Sequence, residues 1–434
     1  MKRRWLILTL TLLLPLIGCS RFTKAVPRMS WTETVTSPPP STPSPSPVSP
    51  AFTPEPTPSV ITITVWIPDA LYLEGKPGAD VLMEQIEQFE ASAEGVKVKA
   101  LVKKAYGKGG ILNLLLTAKE AAPSVLPDVV IIDTSEIAQA AQAELLQPLN
   151  EFIGEDFWES LFPFAAEAGV WRGENVAIQF CADFEHLVYN TNKVVTPPLT
   201  WQQLLGGKEV YLFPARGVNG LANDTLIIQY LAAGGRFVDE NELPVLDEQP
   251  LAEVLEFYRQ GIEKGVISQL ISEVGSTDEC WQIYLAARVA MSNVRASRFL
   301  ADRKILHNTS YAPLPTKKGQ VSTLARGWAI AIVTQEHNRR EASADFIKWL
   351  LAPDNNAQWA WAAGYLPVHR EAFKEEQDPY IPFLRWQLES AQPVPNLLEF
   401  PAIAKAMQEA LDNVLSGKAT PEEAAKRAKQ SLRW

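Results

Sequence analysis

The amino-acid sequence predicts an α/β body in which a mainly parallel sheet carries helices on both faces. Three observations support this. Between residues 61 and 146, strand and helix patterns alternate at the spacing of strands joined by helical crossovers. Val129, Val130, Ile131 and Ile132 form an unbroken apolar run, as expected of a strand covered on both sides. After Pro197-Pro198 a second α/β series begins, and about 370 residues leave room for two lobes with cores of their own.

The chain of 434 residues opens with a different kind of segment. Lys2, Arg3 and Arg4 precede an apolar run from Trp5 to Ile17. A basic start and an apolar core too short for an ordinary span read as a secretory signal over residues 1–18. The ending Leu16-Ile17-Gly18-Cys19 resembles the bacterial lipobox. That resemblance implies a lipidated Cys19 as the mature N-terminus, holding the chain to the lipid bilayer; the plainer alternatives are an ordinary signal peptide or one short anchor. Residues 19–60 then form a tether. Ten prolines fall between Ser37 and Ser59, mixed with Ser and Thr. Such a stretch has nothing to bury and stays extended. At about 3.1 Å per residue it could hold a domain several nanometres off the bilayer.

The formal charge of −10 falls to −13 once the three basic signal residues are removed. That balance speaks against a nucleic-acid partner. Beyond Cys19 only Cys181 and Cys280 remain. Outside the cytoplasm two cysteines suggest one disulfide, against the alternative of two buried free thiols.

The elements follow in order. Residues 61–67 alternate branched and polar side chains before Pro68-Asp69, a strand ending in a loop. Residues 81–89 and 111–121 have helical spacing, 96–102 is a second strand, and 129–132 is followed by a helix around 137–146. The second series contains strands at 210–213 and 290–292 and helices at 226–233 and 251–264. Residues 323–333 are apolar and β-branched, and 340–350 has a helical face. Thr420-Pro421-Glu422-Glu423 is a helix-start signature after the break at Ser416-Gly417. Ligands of parallel sheets sit beyond the carboxyl ends of the strands. This rule singles out Trp66 and Asp69 after the first strand and Thr134, Ser135 and Glu136 after the third. The bland readings are a core aromatic for Trp66 and helix capping for Ser135 and Glu136.

The stretch Pro127 to Ile153 resembles the extracellular solute-binding proteins of ABC importers, the family that includes maltose-binding protein. Further similar motifs follow in order: Gln179-Phe180 with Leu187 to Asn190, Thr200 to Leu205, Leu231 to Gly235, Ala287 to Met291, Tyr311 to Pro315, Arg326 to Ile330 and Ala344 to Leu350. The resemblance implies a two-lobe periplasmic-binding-protein-like fold, with a sheet in each lobe and hinge crossovers between them. It assigns 61–184 with 313–355 to the first lobe and 185–312 with 356–434 to the second.

Catalytic chemistry finds little support. Tyr106-Gly107-Lys108-Gly109-Gly110 lacks the Lys-Ser or Lys-Thr of a nucleotide loop. Neither Gly-x-Ser-x-Gly nor His-Glu-x-x-His occurs, and the four histidines are far apart in sequence. No cofactor, metal site or catalytic residue is therefore expected. A binding cleft instead needs flat apolar faces, planar hydrogen-bonding groups and a few charges. The resemblance places Asp183, Thr134, Ser135 and Glu136 on first-lobe contact positions. It places Asn223, Asp224, Asn293, Arg295 and Arg298 on the second lobe, and Arg326, Gly327 and Trp328 on a ligand-touching turn. Where maltose-type relatives stack sugar rings, this chain has Ile132 and, approximately, Ser297 and Ala404. Malto-oligosaccharide is thus disfavoured, and the extra arginines leave an anionic solute as an alternative to a neutral sugar or polyol.

The expectation is a monomeric, lipid-anchored protein outside the cytoplasm. It would capture a small solute by hinge closure and deliver it to membrane ABC permease subunits. The competing readings are a sensing or adhesion module without transport, and an extracytoplasmic carbohydrate-active enzyme.

Overall fold

Strand β1 (Ile61–Pro68) lies between β2 (Val96–Lys103) and β3 (Val129–Asp133), parallel to both. The structure, a computed structural model, describes residues 60–374 and 378–432. The expected signal peptide, Cys19 and the tether up to residue 59 lie outside them. Helices Pro77–Ser92 and Ile111–Ala121 make the two crossovers, as their spacing predicts. Hairpin β4 (Val170–Trp171) and β5 (Glu174–Asn175) precedes β6 (Ile178–Gln179). Four strands follow in the second half: β7 (Glu185–Asn190), β8 (Tyr211–Leu212), β9 (Met291–Arg295) and β10 (Thr309–Ala312). The chain then returns through β11 (Leu324–Ala325) to β12 (Trp328–Ile332) and later forms β13 (Gln392–Pro393).

Two sheets result, ordered β2-β1-β3-β12-β6 and β10-β7-β9-β8. Each is the centre of one lobe. The first is parallel through β2-β1-β3, and β12 runs antiparallel to both β3 and β6. The second departs from the expected mainly parallel arrangement. Only β8 and β9 pair in parallel, because β7, which leads in from the first crossing, runs opposite to both of its neighbours β9 and β10, while β8, β9 and β10 share one direction. Both faces of the first sheet are apolar. Ile63, Val65, Ile67, Val129 and Ile131 face one core and Trp66, Val130 and Ile132 the other, all at most 5% exposed.

Three segments cross between the lobes and are bonded side by side. Ala182 exchanges backbone hydrogen bonds with Leu366 at 2.9 and 2.8 Å, and Asp183 with Arg326 at 2.7 and 2.9 Å. The apolar, β-branched stretch 323–333 forms two strands instead of one, because Arg326-Gly327 belongs to the crossing. An added Cβ on Gly327 would stand 1.9 Å from the Cys181 carbonyl oxygen, so only glycine lets the two crossings meet. Residue 355 lies in helix Pro353–Ala363. That helix packs on helix Pro77–Ser92 of the first lobe, with the Gln85 amide donating to the Asn355 carbonyl at 2.8 Å. Helix Tyr380–Glu389 begins the return to the second lobe, where His186 and the Tyr380 hydroxyl are 2.7 Å apart. The expected helix start at Thr420 is present as a capping box with Glu423.

Cys181 and Cys280 are both free and buried, which corrects the disulfide expectation. One sits in a hinge crossing and the other on helix Thr277–Leu285 of the second lobe. Burial pushes both thiols up from their ordinary value.

Candidate ligand-binding cleft

Between the lobes opens a cavity of about 500 Å³, reached by Ser135 from one side, Arg326 from the hinge, and Asn223, Asp224 and Arg295 from the other. The first-lobe wall begins where β3 ends. Asp133 caps the turn that follows, accepting from the Ser135 backbone N–H at 2.8 Å and its hydroxyl at 2.6 Å. Its other oxygen accepts from the Tyr106 hydroxyl at 2.6 Å. Tyr106 stands on the loop after β2, and Asp69 steadies that loop by accepting from the Ala105 N–H at 3.0 Å. The Tyr106 ring centre is 5.6 Å from that of Trp328, whose indole N–H points to the Tyr365 hydroxyl at 3.3 Å. Tyr365 follows Gly364, the left-handed residue that ends helix Pro353–Ala363. Glu136 is half-buried in the same wall, with one carboxylate oxygen enclosed and without a partner. Burial and the adjacent Asp133 charge push its carboxyl up to about 7.

The second-lobe wall is held by a buried network. Asn293 lies on β9 and is 0% exposed, donating its amide N–H to Glu185 and to the Thr225 hydroxyl, both at 3.0 Å. Thr225 donates to Glu185 at 2.7 Å. Burial and the Asp224 charge raise the Glu185 carboxyl above its usual range. In front of this network, Asp224 accepts from Arg326 through Nε and Nη2 and from Arg295 Nη2 at 3.2 Å. Despite burial, the two guanidinium groups hold the Asp224 carboxyl below its usual range. Asp183 joins hinge and second lobe, accepting from the Ser297 N–H at 3.1 Å and its hydroxyl at 2.5 Å. Burial raises its carboxyl even so.

The residues singled out from sequence thus divide. Ser135, Asn223, Asp224, Arg295 and Arg326 line the cavity. Asn293 and Thr134 are buried beneath its walls, and Gly327 and Asp183 build the hinge. Trp328 is only 4% exposed, a ring that backs the wall more than it coats it. Trp66 is core, packed under helix Ile111–Ala121 with Lys103 Nζ 5.4 Å from its ring centre. Arg298 faces away and pairs with Asp302 at 2.8 Å along its own helix. Ile132 and Ala404 are buried and Ser297 serves Asp183, so no ring stands at those positions. Sequence reasoning missed the aromatic surface at Tyr106 and Tyr365, along with Asp133 and Glu185. The signal for Tyr106 was the glycine-rich loop around it. The signal for Tyr365 was its place after a helix-ending glycine.

Residues 84–380 match the family described as bacterial extracellular solute-binding protein. A maltotriose-binding protein of Pyrococcus abyssi (strain GE5 / Orsay) is 26% identical over 305 residues, 67% of this chain. The match spans 66% of that relative, slightly under two thirds of its length. Two solved structures share the fold. The cyclic alpha-maltosyl-1,6-maltose binding protein from Arthrobacter globiformis has a TM-score of 0.72 at 21% identity, covering 86% of this chain and 97% of that one. The sugar-binding protein MalE from the phytopathogen Xanthomonas citri has a TM-score of 0.71 at 19% identity, covering 86% and 96%. These relatives and neighbours are binding proteins, not enzymes. The family match runs from the first helix of one lobe to the end of the third crossing, so both lobes and the hinge are represented in it, and the chain belongs to the family of bacterial extracellular solute-binding proteins.

Proposed function

We propose that the protein is a lipid-anchored extracytoplasmic receptor that closes on a saccharide and passes it unaltered to a membrane ABC permease. The lobes that close are 61–184 with 313–373 and 185–312 with 378–432. The observation that carries the reading is the pairing of two unlike walls across one cavity. From the first lobe Ser135 reaches the cavity on a turn held by Asp133 and Tyr106, with Trp328 packed behind Tyr106, and from the hinge and second lobe Arg326, Arg295, Asn223 and Asp224 line it with N–H donors and acceptors. Hydroxyl groups both donate and accept, and sugar rings present flat C–H faces, so a saccharide suits both walls.

The arginines do not turn the site toward a free anion. Both are tied to Asp224, and Asp183 and Glu185 also stand close to Arg295, so their charge is answered largely inside the protein. The saccharide-binding relative and neighbours support the same substrate class. A solute that touches both walls stabilises the closed arrangement by the difference in its affinity for the two states. Delivery to a permease and anchoring through Cys19 rest on the family and on the lipobox resemblance. Calorimetric titration of the intact chain against neutral and charged saccharides tests the reading. A binder at a hundredfold excess over Kd should stabilise the fold by about 2.7 kcal/mol. If no saccharide binds, the substrate class is wrong.

A further inference from the structure

Glu185 on β7 and Arg295 on β9 stand directly opposite each other across an antiparallel pair. Opposed residues on such a pair leave the same face of the sheet, with Cβ atoms about 5 Å apart. Both of them line the cavity. Glu185 is 3% exposed, and it accepts from Thr225 and from Asn293 through a single oxygen, Oε2. Its other oxygen, Oε1, has no hydrogen-bond partner among the described residues and, unlike the Glu136 oxygen, is not enclosed. Arg295 uses Nη2 on Asp224, and its side chain is 33% exposed. Its Nε and Nη1 have no hydrogen-bond partner among the described residues. One cavity wall thus presents an unmet acceptor beside unmet donors. The Glu185 charge itself is answered, because Arg295 stands close to it. What is left open is a hydrogen-bonding position rather than a charge.

We propose that Glu185 is a specificity-determining contact of the cleft, accepting a hydrogen bond from one saccharide hydroxyl through Oε1 while Arg295 donates to that hydroxyl's oxygen. The inference rests on the saccharide reading of the cleft. A hydroxyl donates and accepts at one atom, so it meets both residues at once. An ether oxygen or a fluorine accepts only, a carboxylate would face the Glu185 charge, and an ammonium would face Arg295. Thr225 and Asn293 hold Oε2, so the direction of Oε1 is set before the sugar arrives. A site built to bond a hydroxyl rejects the analogue that lacks it, because the buried acceptor is then left unmet.

Calorimetric titration of the intact chain at pH 7.5 first selects the tightest binder among maltotriose, trehalose, sucrose and raffinose. That sugar is then compared with its monodeoxyfluoro analogues, in which fluorine replaces one hydroxyl at a time and keeps an acceptor without a donor. One analogue should bind about ten- to hundredfold more weakly than the sugar. Glu185→Gln keeps the side-chain shape and turns the open atom from acceptor to donor. It should weaken the sugar by a similar factor and bring sugar and analogue within about threefold of each other. A residue that only braces the wall would lower both alike and preserve the gap. Glu185→Asp keeps the charge opposite Arg295 and withdraws the oxygen, so it should also close the gap should Glu185→Gln fold poorly. A gap that survives both substitutions would overturn this inference and leave the saccharide reading standing. So would a parent chain indifferent to every single fluorination. Failure of all four sugars overturns it as well, and failure of a wider saccharide panel overturns the broader reading with it.

Discussion

Asp224, at the start of helix Asp224–Ala232, grips the side of the Arg326 guanidinium, with Nε at 2.8 and 3.0 Å and Nη2 at 2.6 Å. The pair fastens a hinge crossing to the second lobe, and Asp224 is only 8% exposed. Losing Arg326 leaves Asp224 with Arg295 as its remaining guanidinium partner, so the cost is about 2 kcal/mol rather than that of a fully orphaned charge. Arg326→Ala should therefore lower the urea unfolding free energy by about that much. The double variant with Asp224→Ala should lose less than the sum of the two single losses. A loss below about 0.5 kcal/mol would mean that solvent already screens the pair.

Tyr106 and Trp328 separate binding from folding. Tyr106 is half exposed, so Tyr106→Ala should weaken saccharide binding by about five- to tenfold, roughly 1 kcal/mol of ring contact, with little change in stability. Trp328 is nearly enclosed on β12. Trp328→Ala should cost about 3 kcal/mol of stability in addition to affinity. Parallel calorimetric and denaturation curves distinguish the two, and equal stability losses would contradict the burial difference.

One buried and one half-buried group give opposite pH trends. His186 is fully enclosed, and burial lowers its ring from 6.5 to about 4. The unfolded chain therefore takes up this proton first. The contribution is fully present above about 6.5 and is lost as pH falls through 4, up to about 3 kcal/mol in all. Glu136 is raised from 4.5 to about 7, so its contribution is present below 4.5 and lost as pH rises through 7. The two windows overlap and their slopes oppose, so in stability profiles between pH 4.5 and 6.5 His186→Gln should make stability fall more with rising pH than in the parent, and Glu136→Gln should make it rise more. Unchanged slopes in either variant would contradict the corresponding assignment.

Cys19→Ala tests the anchor. Acylation should disappear and the chain should leave the membrane fraction, because one lipid group adds about 0.8 kcal/mol per buried methylene. A variant that stays in the membrane fraction would show that another segment holds it there.

Much of the first lobe was legible because its strands carry their own signal. β3 is continuously apolar, and helix Ile111–Ala121 has the bounds its spacing predicts. The second sheet was harder to read. β8 is two residues long, and the direction of β7 depends on where the crossing leads it, which local pattern does not encode. The cleft was half legible for a similar reason. Asp224, Arg295 and Arg326 follow from motif position, but that they are shared among themselves follows only from tertiary geometry. Tyr106 and Tyr365 are 259 positions apart yet share one wall with Trp328. Asn293 and Trp66 have side chains fit for ligand contact and are buried instead, because alternation along a strand sends neighbours to opposite faces.

Hydrogen–deuterium exchange of the intact chain with and without saturating saccharide tests the central claim most directly. Closure of two lobes on one solute should slow exchange together at residues 104–110 and 133–136 on the first lobe and at 216–224 and 293–298 on the second. Protection confined to one lobe, or a sugar recovered chemically changed, would contradict the account.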